Sequence, residues 1–339
     1  MSPSMLLDIK DLYVEFKVYG GALRVLDGVN FHVHVGEKVG LVGETGCGKT
    51  TTMKAILRIL PTPPAHIPGG HILFKGQDVL KMKDDQLRAV RGRGISMVFQ
   101  DPTAALNPVF TIGEQMEPII RHSAPEHRRL SKQELRERAV APLREVALAD
   151  PQRLLDSYPI QLSGGMRQRV CIGMALATNP ELLIADEPGT SLDVTIQDQV
   201  LRLLHDLVEK KQTSVILITH TLGVVREMTD RVYVMYAGNM VEMAATPKLF
   251  ANPLHPYTRG LMEAVPKLSG GGIAMGIPGR IPDYLSPPAG CRFHPRCAHV
   301  MPVCRRQKPA FFKVDEEHQA ACFLYDEQVD VHKREASAS

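Results

Sequence analysis

The stretch GETGCGKT, from Gly43 to Thr50, places glycines, a lysine and a threonine at a spacing suited to binding phosphate. It fits the pattern G-x-x-x-x-G-K-[ST], in which glycines let the backbone curl so that successive N–H groups face a phosphate chain. Lys49 would neutralise the β- and γ-phosphates, and the Thr50 hydroxyl would ligate Mg²⁺. A glycine turn with an exposed lysine is the alternative. The predicted loop comprises Gly43, Glu44, Thr45, Gly46, Cys47, Gly48, Lys49, Thr50 and Thr51.

A second pair of candidate groups, Asp186 and Glu187, closes the apolar run LLIADEP. A carboxylate at the end of such a strand can hold a metal ion, so we predict that Asp186 binds Mg²⁺ through water. Glu187 is placed to polarise a water molecule that attacks the γ-phosphate. Two adjacent acids could also be ordinary surface charge, but the phosphate loop elsewhere in the chain favours the catalytic interpretation.

The stretch QLSGGMRQRV predicts a second anion site. A serine and two glycines at the start of an amphipathic helix combine a hydroxyl, backbone N–H groups and a helix N-terminus. On its own such a start is common and indicates only a helix cap. The residues concerned are Ser163, Gly164, Gly165 and Met166.

Four of the six cysteines lie towards the end of the sequence, in the pattern C-x5-C-x6-C-x17-C. The chain opens without the features of a secretory signal, and no run approaches the roughly 18 apolar residues that span a bilayer, so we expect an unexported chain in a reducing compartment. Disulfides are rare there, which favours metal ligation. Four thiolates suit an iron–sulfur cluster or tetrahedral zinc, and the spacing does not choose. His294 and His299 could replace one thiolate.

Hydrophobic patterning predicts the elements that position these groups. The runs KVGLVG, GISMVFQ, ELLIAD and SVILITH indicate buried parallel strands alternating with helices, hence an α/β core. FHVHV and HILFKGQDVL indicate antiparallel strands, RVYVMYAGNMVEMA indicates a strand pair, and residues 101–165 are mostly helical. Proline, glycine and cysteine become frequent near residue 250. The predicted domains are therefore 1–250, with a helical subdomain at about 101–165, and an extension at 251–339.

Composition is that of a globular protein, with 44% hydrophobic and 23% charged residues. The formal net charge of +3 is small for 339 residues, so it argues neither for nor against a nucleic-acid partner.

The order of these motifs resembles the ATP-binding cassette family, in which the serine–glycine signature of one subunit closes over ATP held by another. The resemblance spans about residues 6–250 and implies a dimer. It implies that Phe16, with Tyr19 as a possible substitute, stacks on adenine, and that Gln100 contacts Mg²⁺ or the attacking water. It also implies that Asp193 lies in the loop crossing the dimer interface and that His220 contacts the γ-phosphate.

Longer stretches, among them FQDPTAALNPVFTIGEQ, DEPGTSLDVTIQ and HPYTRGLMEAVPKL, resemble the ATPases of bacterial oligopeptide and dipeptide importers, especially their D-type subunit. The resemblance implies an ATP-hydrolysing subunit, peripheral at the cytoplasmic face of the membrane, with no transmembrane segment of its own. Its implied partners are a second ATPase of the F type, two permease subunits and an extracytoplasmic solute-binding protein. Homodimerisation, and import of nickel or sugars instead of peptides, remain open.

The same resemblance implies that a [4Fe–4S] cluster is held by the four cysteines, with zinc or no metal as the alternatives. The ligands would be Cys291, Cys297, Cys304 and Cys322. A soluble ATPase acting on nucleic acid or ribosomes is the alternative from a different functional class, although no nucleic-acid partner is expected.

Overall fold

The computed structural model describes residues 4–123, 130–264 and 276–327. Its strands are β1 (Met5–Val18), β2 (Gly21–His34), β3 (Lys38–Val42), β4 (Ala65–Phe74), β5 (Gln77–Asp78), β6 (Ile95–Val98), β7 (Leu182–Asp186), β8 (Ser214–Ile218), β9 (Arg231–Tyr236), β10 (Asn239–Ala245), β11 (Phe312–Asp315) and β12 (His318–Ala320). Its α-helices are α1 (Lys49–Ile56), α2 (Asp84–Ala89), α3 (Pro102–Ala105), α4 (Ile112–Ser123), α5 (Lys132–Glu145), α6 (Pro151–Leu154), α7 (Gly164–Leu176), α8 (Val194–Lys211), α9 (Leu222–Met228), α10 (Thr246–Ala251) and α11 (Pro256–Glu263).

The chain divides into two compact units, the first of which holds residues 34–38 and 81–219 together with the start of the chain. Its strands β6, β7 and β8 run parallel, with Ile184 of β7 opposite Met97 on one side and Ile216 on the other. Every residue of β7 and β8 is buried, as expected for continuous apolar runs covered on both faces. The mostly helical stretch predicted for residues 101–165 contains α3 to α6.

The second unit holds residues 5–33, 39–80 and 220–339. One of its sheets is antiparallel in the order β2-β1-β4-β5, which confirms the strands predicted from FHVHV and HILFKGQDVL. In its other strands, β3 pairs in parallel with β9, and β9 pairs antiparallel with β10 across the turn at Ala237 and Gly238. The predicted strand pair around this turn is thus confirmed.

The C-terminal segment, residues 276–327, is built into the second unit. Strand β12 pairs antiparallel with β10, and β11 pairs with β12. Phe293 packs in the same buried cluster as Tyr236 and Tyr257, with ring centroids 5.0 and 5.5 Å away. The division between the two compact units falls at residues 219 and 220 and at earlier positions, not near residue 250. The domain boundary near residue 250 therefore stays a sequence prediction.

Among the residues that the structure describes, none of the helices combines the length and the apolar character needed to cross a bilayer.

Candidate functional site

The predicted phosphate loop lies between the end of β3 at Val42 and the start of α1 at Lys49. Gly43 and Gly48 have φ of 154° and 113°. A Cβ on Gly43 would stand 2.2 Å from the Met235 carbonyl oxygen, and one on Gly48 would stand 2.8 Å from Leu26 Cδ2. A Cβ on Gly46 would meet nothing within 4 Å. The loop is therefore packed tightly against β2 and β9 on one side and open on the other, which explains why glycines are needed here.

Lys49 is only 6% exposed and its side chain folds back over this loop. Its Nζ donates hydrogen bonds to the carbonyl oxygens of Gly43, at 2.7 Å, and Glu44, at 3.1 Å. Helix α1 has no side-chain cap and no acidic residue in its first turn. Its first N–H groups and the positive end of its dipole are thus presented without a local carboxylate. An ammonium group, an uncapped helix start and an open glycine loop fit a phosphate chain.

Three side chains from beyond residue 250 hold the loop in place. The Tyr257 hydroxyl accepts a hydrogen bond from the Glu44 backbone N–H at 2.8 Å. Arg296 donates to both carboxylate oxygens of Glu44, at 2.9 and 3.1 Å, and the Tyr284 hydroxyl donates to the Gly46 carbonyl at 2.7 Å. Sequence reasoning missed all three residues. The stretch HPYTRGL, which contains Tyr257, contributes only to the family resemblance, and no local pattern marks a contact across more than 200 positions.

Cys47, inside the loop, is fully buried. Burial raises the pKa of its thiol, and the neighbouring Lys49 acts in the opposite direction. The carbonyl of Cys47 accepts a hydrogen bond from the Gly238 N–H at 2.7 Å, which ties the loop to the β9–β10 turn. Cys47 therefore serves the loop as a small neutral side chain.

The predicted acidic pair lies at the end of β7 in the first unit. Asp186 is 3% exposed, whereas Glu187 is half-buried and has a left-handed φ of 46°. Such a backbone is strained for a non-glycine residue and occurs preferentially at functional sites. Gln100 Nε2 donates to Glu187 Oε2 at 2.9 Å, and the Thr190 hydroxyl donates to the same oxygen at 3.1 Å. The structure thus brings together Gln100 and Glu187, which the sequence assigned to one reaction.

The Ser-Gly-Gly stretch begins helix α7. Ser163 Oγ accepts a hydrogen bond from the Met166 N–H at 3.3 Å, so the serine is a true N-cap. A Cβ on Gly165 would stand 2.8 Å from Ile196 Cγ2, and one on Gly164 would stand 3.2 Å from Leu192 Cδ2. These glycines therefore also allow close packing of α7, a requirement that the sequence did not reveal. The predicted role of this stretch across a dimer stays a prediction.

The remaining predicted nucleotide contacts lie at the ends of strands and helices. Phe16, on β1, is half-buried and pairs with Ala65 of β4, whereas Tyr19 in the β1–β2 turn is fully exposed. Asp193 caps α8 by accepting from the Ile196 N–H at 3.0 Å. His220 follows β8 and is exposed. The positions are compatible with the predicted roles, which stay predictions.

The four C-terminal cysteines line a single cavity, together with His294 and His299. The pKa of Cys291 is raised to about 12 and that of Cys322 to about 11, mainly by burial, with a smaller contribution from the neighbouring cysteines. All six cysteines of the chain carry free thiols. Across the three described ranges, no group of three or more histidine, cysteine, aspartate or glutamate side chains is arranged to hold a metal ion. The predicted metal site therefore stays a prediction.

Family models match two parts of the chain. One described as ABC transporter matches residues 26–190, and one described as oligopeptide/dipeptide transporter, C-terminal region, matches residues 241–304. The second match includes Tyr257, Tyr284 and Arg296, the three residues that hold the phosphate loop.

Curated relatives match over almost the whole length. A "probable peptide ABC transporter ATP-binding protein" of Sinorhizobium fredii is 48% identical, covering 96% of this chain and 97% of the relative. The oligopeptide transport ATP-binding protein OppD of Bacillus subtilis is 44% identical, covering 94% and 88%, and the dipeptide transport ATP-binding protein DppD of the same organism is 44% identical, covering 96% of both.

A solved structure of an ATP-binding cassette dimer in a post-hydrolysis state, bound to ADP and phosphate, superposes with a TM-score of 0.63. It is 28% identical, and the match covers 71% of this chain and 99% of that one. The predicted α/β ATPase core is therefore confirmed, and the uncovered part of this chain marks sequence beyond the cassette.

Proposed function

Because the chain belongs to the ABC transporter family of ATP-binding proteins, we propose that it is the ATP-hydrolysing subunit of an importer for dipeptides or oligopeptides. One observation carries the ATPase part of this proposal. It is the phosphate loop, in which Lys49 and an uncapped helix start face an open side. Peptides are the solutes named for the similar proteins, and the matched C-terminal region is described in the same terms.

Nucleotide binding would use the loop residues directly. Lys49 would exchange its two carbonyl partners for the β- and γ-phosphate oxygens, and the N–H groups at the start of α1 would accept the negative charge. Phe16 would stack on the adenine. Thr50 and Asp186 would hold Mg²⁺, which supplies charge neutralisation on the phosphates when bound.

Hydrolysis would use the groups at the end of β7. Glu187 would polarise the attacking water, and Gln100, already bonded to its carboxylate, would orient that water or contact the metal. His220 would contact the γ-phosphate. Ser163 and Asp193, with the two signature glycines, would act on the nucleotide bound by a second cassette, so the working form is a dimer.

The assembly we propose contains a second ATPase subunit of the F type, two permease subunits and an extracytoplasmic solute-binding protein. The chain would sit at the cytoplasmic face of the membrane, where ATP is available, and closure of the dimer would move the permeases. The named activities of the similar peptide transport proteins support this arrangement.

The assembly can be tested with Glu187→Gln in proteoliposomes containing the permeases, the partner ATPase and the binding protein. We expect ATP hydrolysis and labelled-peptide uptake to fall by roughly 10²- to 10⁴-fold, the usual contribution of a general base, while ATP binding persists. Asp198→Asn, which removes an exposed carboxylate of α8 paired with Arg202, is the matched control and should leave both rates unchanged. Uptake that survives Glu187→Gln, or hydrolysis that responds to nucleic acid and not to permeases, would refute the proposal.

We further propose that Cys291, Cys297, Cys304 and Cys322 hold a [4Fe–4S] cluster in the C-terminal extension. One observation supports it: the four thiols line one cavity. Four thiolates are a complete ligand set for such a cluster. Its role would be structural, since metal binding stabilises a segment that folds around it.

Iron, acid-labile sulfide and zinc should be measured on protein purified without oxygen. We expect iron and sulfide together, lost in Cys291→Ser and retained in Cys171→Ser, whose cysteine lies on α7 in the other compact unit. Zinc without iron, or no metal at all, would contradict the cluster and leave the ATPase proposal intact.

A further inference from the structure

The phosphate loop is held by the three residues from beyond position 250 described above. Glu44 is held twice, at its backbone N–H by Tyr257 and at its carboxylate by Arg296, and Gly46 is held at its carbonyl by Tyr284. A loop with glycines at both ends has few ways to hold one shape by itself. These contacts therefore restrict the part of the loop that is conformationally freest.

Arg296 is the strongest of the three contacts. Its side chain is only 6% exposed. Besides the two bonds to Glu44, it donates to the carbonyls of Pro278 and Ile277 and to the Tyr236 hydroxyl. The fork of its guanidinium thus bridges the loop and the C-terminal segment, with every nitrogen used. Charge-assisted paired bonds of this kind fix both distance and orientation.

Tyr284 has a different effect. A carbonyl oxygen that pointed towards bound phosphates would repel them, because the oxygen carries a partial negative charge and the phosphates are anionic. The hydroxyl of Tyr284 holds the Gly46 carbonyl in a hydrogen bond, and this ring is itself faced by the Arg292 guanidinium at 5.9 Å. Tyr257, fully buried, packs against Tyr236 with the ring centroids 4.7 Å apart and the rings tilted by 56°. The loop therefore meets rigid partners.

We propose that Arg296, Tyr284 and Tyr257 are positioning residues for nucleotide binding, which hold the phosphate loop in its open curl before ATP arrives. This inference rests on the proposed ATPase function. A preorganised loop loses less conformational freedom when ligand binds, so the same phosphate contacts give higher affinity. Residues from beyond position 250 thereby set the affinity of the phosphate loop for ATP without touching the nucleotide.

The test is the equilibrium Kd of the full-length protein for a fluorescent ATP analogue, measured without turnover. Arg296→Met should weaken binding about tenfold, the effect of losing one charge-assisted pair, and Tyr284→Phe or Tyr257→Phe about threefold each. Arg296→Lys, which keeps the charge without the fork, should fall between wild type and Arg296→Met. Arg136→Met is the matched control, since Arg136 binds both oxygens of Asp156, at 2.8 and 2.6 Å, in the other compact unit.

A double-mutant cycle separates positioning from general loss of structure. If Arg296 acts through Glu44, then Glu44→Gln combined with Arg296→Met should bind no more weakly than Glu44→Gln alone. Thermal unfolding of each variant shows that it is folded at the temperature of the titration. Fully additive losses, or an Arg296→Met protein that binds like wild type, would overturn the inference.

The two proposals fail in distinguishable ways. If the wild-type protein does not bind the ATP analogue, the ATPase function is wrong and the positioning role falls with it. If wild type binds and the positioning variants bind equally well, only the positioning role is wrong.

Discussion

The phosphate loop and the acidic end of β7 are built in opposite ways. The loop is packed, with Lys49 at 6% exposure and with partners 213 to 252 positions away along the chain. The acidic end is more exposed at Gln100 and Glu187, and the Glu187 carboxylate accepts its hydrogen bonds from Gln100 and Thr190 of the same unit. If the proposed roles hold, nucleotide binding uses a loop fixed by distant parts of the chain, whereas the groups proposed for hydrolysis lie at a more exposed edge.

Removing the Lys49 ammonium group from the phosphate loop should have the largest effect. In Lys49→Met the loop loses the charged group proposed to contact the phosphates, and we expect ATP affinity to fall about 100-fold, the effect of one strong charge-assisted bond of roughly 3 kcal/mol. Titration with labelled ATP measures it. Lys54→Met, in the last turn of the same helix, is the control. If Lys49→Met binds ATP as tightly as wild type while Glu187→Gln does not, the two regions have their roles reversed.

A smaller effect is expected at low pH, where protonation of His255, next to Tyr257 that binds the phosphate loop, should lower the stability of the protein. His255 is 1% exposed, and its Nδ1 accepts from the Tyr257 N–H at 3.0 Å. Burial lowers its pKa to about 4, with nearby Glu242 opposing the shift and Arg259 adding to it. Between about pH 6.5 and 4 the unfolded chain binds a proton that the folded chain does not, so stability decreases as pH falls through this range.

We expect the free energy of unfolding to fall by about 2 kcal/mol between pH 7 and pH 5 through this residue. Urea titrations at the two pH values measure the change. His255→Asn keeps a hydrogen-bond acceptor at the helix start and should remove this part of the pH dependence, whereas His66→Asn, at an exposed position of β4, should retain it. Equal pH dependence in wild type and His255→Asn would show that acid does not act at this point.

What the sequence could predict was local. The strand, loop and helix around GETGCGKT follow from a run of apolar residues, glycines and a helical spacing within about 20 positions, and β3 and α1 lie where they were expected. Helix α1 ends at Ile56, because Arg58 adopts a left-handed φ of 50° and the Ile59 N–H returns to the Lys54 carbonyl.

What the sequence could not predict depends on distant parts of the chain. No periodicity joins Arg296 to Glu44 or β12 to β10, since these pairings arise only when the sheet forms. The same limit applies to Gly165, where the requirement for a small residue is set by Ile196 on another helix. Single-sequence patterns identify groups that can do chemistry, but they do not identify the residues that hold those groups in place.

During synthesis of the protein, the contact between Arg296 and Glu44 can form only late. Its two residues are 252 positions apart, a stretch that a ribosome takes roughly 12 to 50 seconds to translate at about 5–20 residues per second. Throughout that interval the glycine loop has been made, but Arg296, which binds the Glu44 carboxylate, has not. A chain released before position 296 therefore lacks the paired hydrogen bonds that fix Glu44, and under the positioning proposal it would bind ATP more weakly than the complete chain.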